Sequence, residues 1–244
     1  MMFELALLFL HLERELEGKG SGATIAKLQA FAVMQDFSSP RRVNTFIDRS
    51  VEIGRVERLR ISDDRRVRRL VPTDILIDYL RRHALLSTDA IGIVLPNSPL
   101  SEIIRSDRSA YLRLALAAAR KRIADESPFR QSPEVTFFAS RDGGLAIMNA
   151  LLFSCYEQNG ALSPDLAFRV SFASVSQRFG ISRSHVRNVI RTAAKSGYLE
   201  CVESNESEAG PELRLSPMLI DASKNAAASS WAIFHVAGEN LLHR

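Results

Sequence analysis

The 244-residue chain is poor in the residues that cross-links, metal centres and covalent catalysis require. Its two cysteines, Cys155 and Cys201, form neither a metal-binding spacing nor a disulfide framework. The five histidines, His11, His83, His185, His235 and His243, pair with no Cys, Asp or Glu at a ligand spacing. There is no P-loop, dinucleotide fingerprint or nucleophile elbow, and Asp142-Gly143-Gly144 reads as a helix cap rather than a phosphate loop. No catalytic residue, metal or cofactor is therefore expected, and the chain is not expected to be an enzyme. Long hydrophobic runs are also missing. The N-terminal MMFELALLFLHLERE contains Glu4 and no basic leader, and its apolar run is too short to span a bilayer. A cytoplasmic protein without membrane partners is the expectation.

Lysine is scarce as well. Of 32 basic residues only 5 are lysine and 27 are arginine, against 28 acidic ones, for a net charge of +4. Arginine offers bidentate hydrogen bonds to phosphate and guanine. A genome rich in GC codons would produce the same bias, so the positions of the arginines have to decide. Apolar residues make up 46%, enough for real cores.

The most informative stretch is Phe172 to Glu200. Ala173, Val175 and Phe179 give a first short helix its apolar residues, and Gly180 supplies a C-cap that reaches positive φ without a Cβ clash. Ile181 is placed to fold back as a plug, and Ser182 to cap the next helix. In that helix Val186, Val189, Ile190 and Ala193 repeat at i, i+3, i+4 and i+7, the spacing of a buried stripe. Arg183, Ser184, His185, Arg187, Asn188, Arg191 and Lys195 fall outside it. A helix apolar on one side and basic on the other suits a DNA major groove.

This stretch resembles the winged-helix domain of bacterial transcriptional regulators, MarR-like proteins among them. The residues that carry the likeness are the Gly180-Ile181-Ser182 turn, the Val186/Val189/Ile190 triplet, and Gly197-Tyr198-Leu199 entering a hairpin. The resemblance implies a helix-turn-helix that binds double-stranded DNA.

The chain also repeats parts of its own sequence. Ala6-Leu7-Leu8-Phe9 recurs as Ala150-Leu151-Leu152-Phe153. Ser39, Val43, Ile47, Gly54 and Glu57 recur as Ser182, Val186, Ile190, Gly197 and Glu200, and Leu76-Ile77-Asp78 as Leu219-Ile220-Asp221. The common offset, close to 143 residues, marks an internal duplication. The expected fold is mostly α (α+β), with two winged helix-turn-helix domains joined by a helical linker. The boundaries read as residues 1–80 for the first domain and 81–142 for a helical linker or dimerisation region. Residues 143–221 then form the second domain, and 222–244 a C-terminal helix.

Within the linker a single long helix is expected from Ser101 to Asp125. Loop follows from Ser127 to Gly144, with a short strand at Val135–Phe138. In the first copy the helix starting at Ser39-Pro40 carries Arg41, Arg42 and Asn44, but Asp48 and Glu52 stand where the second copy has Arg191 and Lys195. Its hairpin compensates with Arg55, Arg58, Arg60, Arg65, Arg66, Arg68 and Arg69, whereas the second hairpin is acidic from Glu200 to Glu212. The second copy is thus expected to read bases with Arg187 and Arg191 side by side on its helix, and the first to grip phosphates or a minor groove with its hairpin.

Double-stranded DNA is the expected partner. The 101–125 helix and the last helix, with Trp231, Phe234 and Leu241, are expected either to pack together within one chain or to pair between chains, and of the two a homodimer is the favoured arrangement. A transcriptional regulator is the leading function. A plasmid-type replication initiator, which also joins two winged helices, and a protein-binding scaffold are the alternatives.

Overall fold

The described residues are mostly helical, in segments of 7 to 26 residues, with two small antiparallel sheets among them. The structure, a computed structural model, describes residues 2–35, 38–60, 68–124, 132–203 and 210–242. The chain divides into two compact units, Met1–Asp125 with Ser230–Arg244, and Glu126–Ser229.

The first unit begins with helices α1 (Met2–Glu17), α2 (Ile25–Met34) and α3 (Pro40–Glu52). The hairpin β1 (Val56–Arg60) and β2 (Arg68–Pro72) leads into α4 (Asp74–Val94), followed by α5 (Leu100–Ser106) and α6 (Arg108–Ala124). The second unit opens with α7 (Pro133–Ala139) and then repeats the run: α8 (Gly144–Asn159), strand β3 (Phe168–Arg169), α9 (Phe172–Phe179) and α10 (Arg183–Lys195). The hairpin β4 (Leu199–Glu203) and β5 (Glu212–Leu215) and helix α11 (Pro217–Leu242) complete it, although the residues of α11 from Ser230 onward belong to the first unit.

The repetition reaches single hydrogen bonds. Helices α3 and α10 each have 13 residues. Each is followed by a glycine in the left-handed region, Gly54 at φ 70° and Gly197 at φ 77°. That turn lets Arg55 N–H donate to Ser50 C=O (2.8 Å) and, 143 residues on, Tyr198 N–H to Ala193 C=O (3.0 Å). Thr73 N–H to Arg55 C=O and Ser216 N–H to Tyr198 C=O close the two hairpins alike. The second sheet has strand order β3-β5-β4, and in the first unit the third strand shrinks to one bridge, Thr24 with Arg69. Val43, Ile47, Val56, Leu70, Leu76 and Ile77 are buried in the first core; Val186, Ile190, Leu199, Leu213, Leu219 and Ile220, at the same offset, are buried in the second. Each such side chain stabilises its unit by roughly 1.5–3 kcal/mol.

Four expectations need correction. The long helix of the linker is broken at Asp107, which has extended backbone and accepts from Ser109 N–H (2.7 Å) and from Arg113. An aspartate that bonds the backbone two residues on competes with helix and starts a new one. The strand expected at Val135–Phe138 is helix α7, capped by Ser132, whose Oγ accepts from Val135 N–H, with Pro133 in the first turn. Ser-Pro is a helix-start signal, and here it outweighs the β propensity of the residues that follow.

In α9 the inward residues are Phe172 and Val175, while Ala173 and Phe179 are exposed. The last helix is no separate element but the continuation of α11. Its Ile233 and Ala237 are buried in the first core together with Tyr111 and Leu114 of α6, and Trp231 and Phe234 pack against that core. The apolar side chains expected to close a homodimer are thus used within the chain; that of Leu241 lies outside the described residues.

Candidate nucleic-acid interface

Helix α10 is presented by a turn that the local sequence specifies. Gly180 ends α9 at φ 66°, and Ile181 N–H donates to Ser176 C=O (3.1 Å) while Ser176 Oγ donates back to Ile181 C=O (2.5 Å). Ile181 folds against the second core and covers Gly143, where a Cβ would stand 2.2 Å from its Cδ1. Ser182 Oγ then accepts from His185 N–H (3.2 Å), capping α10. Val186, Val189, Ile190 and Ala193 are all buried, as their spacing requires.

That burial leaves Arg183, Ser184, Asn188, Arg191 and Lys195 exposed on the other side. Asn188 Oδ1 accepts from Arg191 Nη2 (3.1 Å), so an amide and a guanidinium stand together. Arg183, Arg191 and Lys195 form no ion pair among the described residues. No acidic residue occurs in α10, and Arg183 lies in the first turn, where a cation opposes the helix dipole.

Two predicted contacts are placed differently. His185 Nε2 donates to the backbone carbonyl of Asp142 (2.8 Å), fastening the start of α10 to the turn before α8. Arg187 is half-buried with its Nε shielded from solvent, because it borders the stripe next to Val186 and Ile190. Arg187 and Arg191 therefore do not share one exposed face.

In the first unit Arg41 and Arg42 are exposed at the start of α3, but Ser39 makes no side-chain cap. Several other side chains of α3 are also engaged within the unit. Asn44 Oδ1 accepts from Gln29 Nε2 (2.9 Å), Arg49 pairs with Glu52 (2.7 Å), and Asp48 pairs with Arg58 of β1 (2.5 Å). The hairpin holds fewer available cations than its composition implies. Besides Arg58, Arg55 pairs with Glu4 (3.7 Å) and lies over the Tyr79 ring, and Arg69 pairs with Glu15 (3.6 Å). These partners lie too far away in sequence for any local pattern to reveal them. Arg60 and Arg68 are exposed and directly opposite each other in the register. Like charges in that position destabilise a hairpin unless an anion stands between them. Arg65 and Arg66 lie outside the described residues.

No protein-family model matches the chain, and no curated protein matches it.

The second hairpin is acidic in a different sense from that expected. Glu200 pairs with Arg214 (3.6 Å) and Glu212 with Arg169 (2.7 Å), so two of its carboxylates are matched inside the unit. Glu206 and Glu208 lie outside the described residues. Among those described, no three His, Cys, Asp or Glu side chains stand where they could hold a metal ion. No described helix is long and apolar enough to cross a membrane.

Proposed function

We propose that the chain is a sequence-specific double-stranded DNA-binding transcriptional regulator built from two winged helix-turn-helix units, with α10 as the base-reading helix. The observation that carries this is the outer face of α10. Arg183, Ser184, Asn188, Arg191 and Lys195 are exposed together on a rigidly capped helix without acidic residues. A paired amide and guanidinium on such a helix match the donor and acceptor edges of adenine and guanine in the major groove. Exposed arginines in the first turns of α3 and α10 weaken those helices in isolation and suit phosphate at their N-termini. The first unit contributes through Arg41, Arg42, Arg60 and Arg68, which set affinity and register more than sequence choice.

The test is binding of fluorescent duplexes after selection of a preferred site. Arg191→Ala should cost about 1–3 kcal/mol on that site and clearly less on random DNA. Equal losses on both would reduce Arg191 to a phosphate contact, and binding insensitive to salt would favour a protein-binding scaffold instead. The inequality of the two units favours a second reading, a replication initiator that binds directly repeated sites. Protection of several tandem repeats, rather than one operator beside a promoter, would select it.

A further inference from the structure

An aromatic groove of about 420 Å³ runs between α8 and α9 of the second unit. Leu152, Phe153 and Tyr156 of α8 line one side, and Arg178 and Phe179 of α9 the other. Phe153 and Tyr156 are 51% and 57% exposed, a large apolar area to leave in water. The duplication shows what this face of the helix is built for. At the positions of Leu152 and Tyr156, the first unit has Leu8 and Leu12, which are 1% and 2% exposed. At the position of Phe153 it has Phe9, half-buried with its ring 6.1 Å from that of Phe31. The contrast is sharpest at the Leu12/Tyr156 position, interior in one copy and exposed in the other.

We propose that this groove is a docking site for an acidic, apolar segment of a partner protein. The charge of the groove selects the occupant. Arg178 holds its guanidinium 5.9 Å from the Phe153 ring centre and 5.4 Å from that of Phe179, and it has no acidic partner among the described residues. A cation fixed over two rings on a groove wall fits a carboxylate, while the aromatic side chains fit two or three large apolar residues. A second copy of this chain suits the site less well. It is itself basic, with a net charge of +4, and a two-fold contact through the groove would bring two Arg178 side chains together. No residue of α10 lines the groove. The groove serves this role whether or not α10 binds DNA.

The experiment selects random peptides displayed on phage against the full chain, with the Tyr156→Ser chain as the control surface. Enriched peptides should combine large apolar residues with Asp or Glu. When synthesised, they should bind the Arg178→Glu chain at least ~10-fold more weakly than the wild type. Selection on the Arg178→Glu chain should in turn recover Lys or Arg in place of the acid, a rescue that misfolding cannot imitate. Lack of enrichment over the control, or winners that bind the Arg178→Glu chain equally well, overturns the proposal. So does a wild-type dimer that Tyr156→Arg dissociates, since the occupant would then be a second copy.

Discussion

Arg187 and Arg191 lie one turn apart on α10, yet their surroundings assign them different work. Arg191 is exposed beside Asn188, whereas the half-buried stem of Arg187 covers the edge of the apolar stripe. Arg187→Ala should therefore lower the thermal midpoint as well as DNA affinity, while Arg191→Ala lowers affinity alone; calorimetry on both variants separates them. Asp48 is the mirror case, an acid at the position of Arg191 that holds Arg58 against its own helix. Asp48→Asn should release Arg58 and tighten binding to all sequences alike. The log–log salt slope should steepen by about 0.9 for each additional phosphate that the protein neutralises. A titration across salt concentrations measures this, and an unchanged slope would mean that Arg58 cannot reach DNA. The identity of these residues is plain in the sequence. Their availability is not, because it depends on Glu4, Glu15, Asp48 and Asp142, which only the folded chain brings near.

The hairpin of the first unit and helix α11 show how an element's role follows from its neighbours. Arg60 and Arg68 face each other across β1 and β2. Replacing both by Ala should weaken binding to every sequence and leave the free protein no less stable. The same change should flatten the salt slope by about 0.9 for each phosphate left without its arginine. Helix α11 supplies Ala222 and Ala226 to the second core and Ile233 and Ala237 to the first. Truncation after Asp221 is thus expected to destabilise the chain rather than to dissociate a dimer. Ile233→Ala alone should cost about 2–5 kcal/mol in chemical denaturation. Helix α10 is readable from sequence because a 3.6-residue stripe, a cap and a glycine turn all agree. The break at Asp107 and helix α7 are hard to read because one capping side chain decides each, Asp107 and Ser132.

For the whole molecule, acidification is expected to lower stability. Hydrogen bonds from Arg120, and secondarily from Lys19, hold the Glu17 carboxyl down to about 2 from 4.5. A lowered carboxylate value means that this contribution is complete above pH 4.5 and is lost as pH falls toward 2. His11 is also lowered, by burial, so protonation below its ordinary value of 6.5 favours unfolding. Stability should therefore decline on acidification in two stages, and Glu17→Gln should flatten the lower one; thermal midpoints at about pH 7, 5 and 3 check both. By itself the sequence determined the mostly helical class, the duplication at an offset of 143, and the buried stripes of the repeated helices, because periodicity and turn chemistry are local. Only the tertiary structure decided which arginines remain available, where α11 ends its course, and that Phe153 and Tyr156 stay bare while Leu12 does not. Those outcomes depend on pairings between residues as far apart as Glu17 and Arg120, 103 positions along the chain. Such pairings leave no pattern in sequence, since charge and apolar character specify what a side chain needs but not which distant partner supplies it.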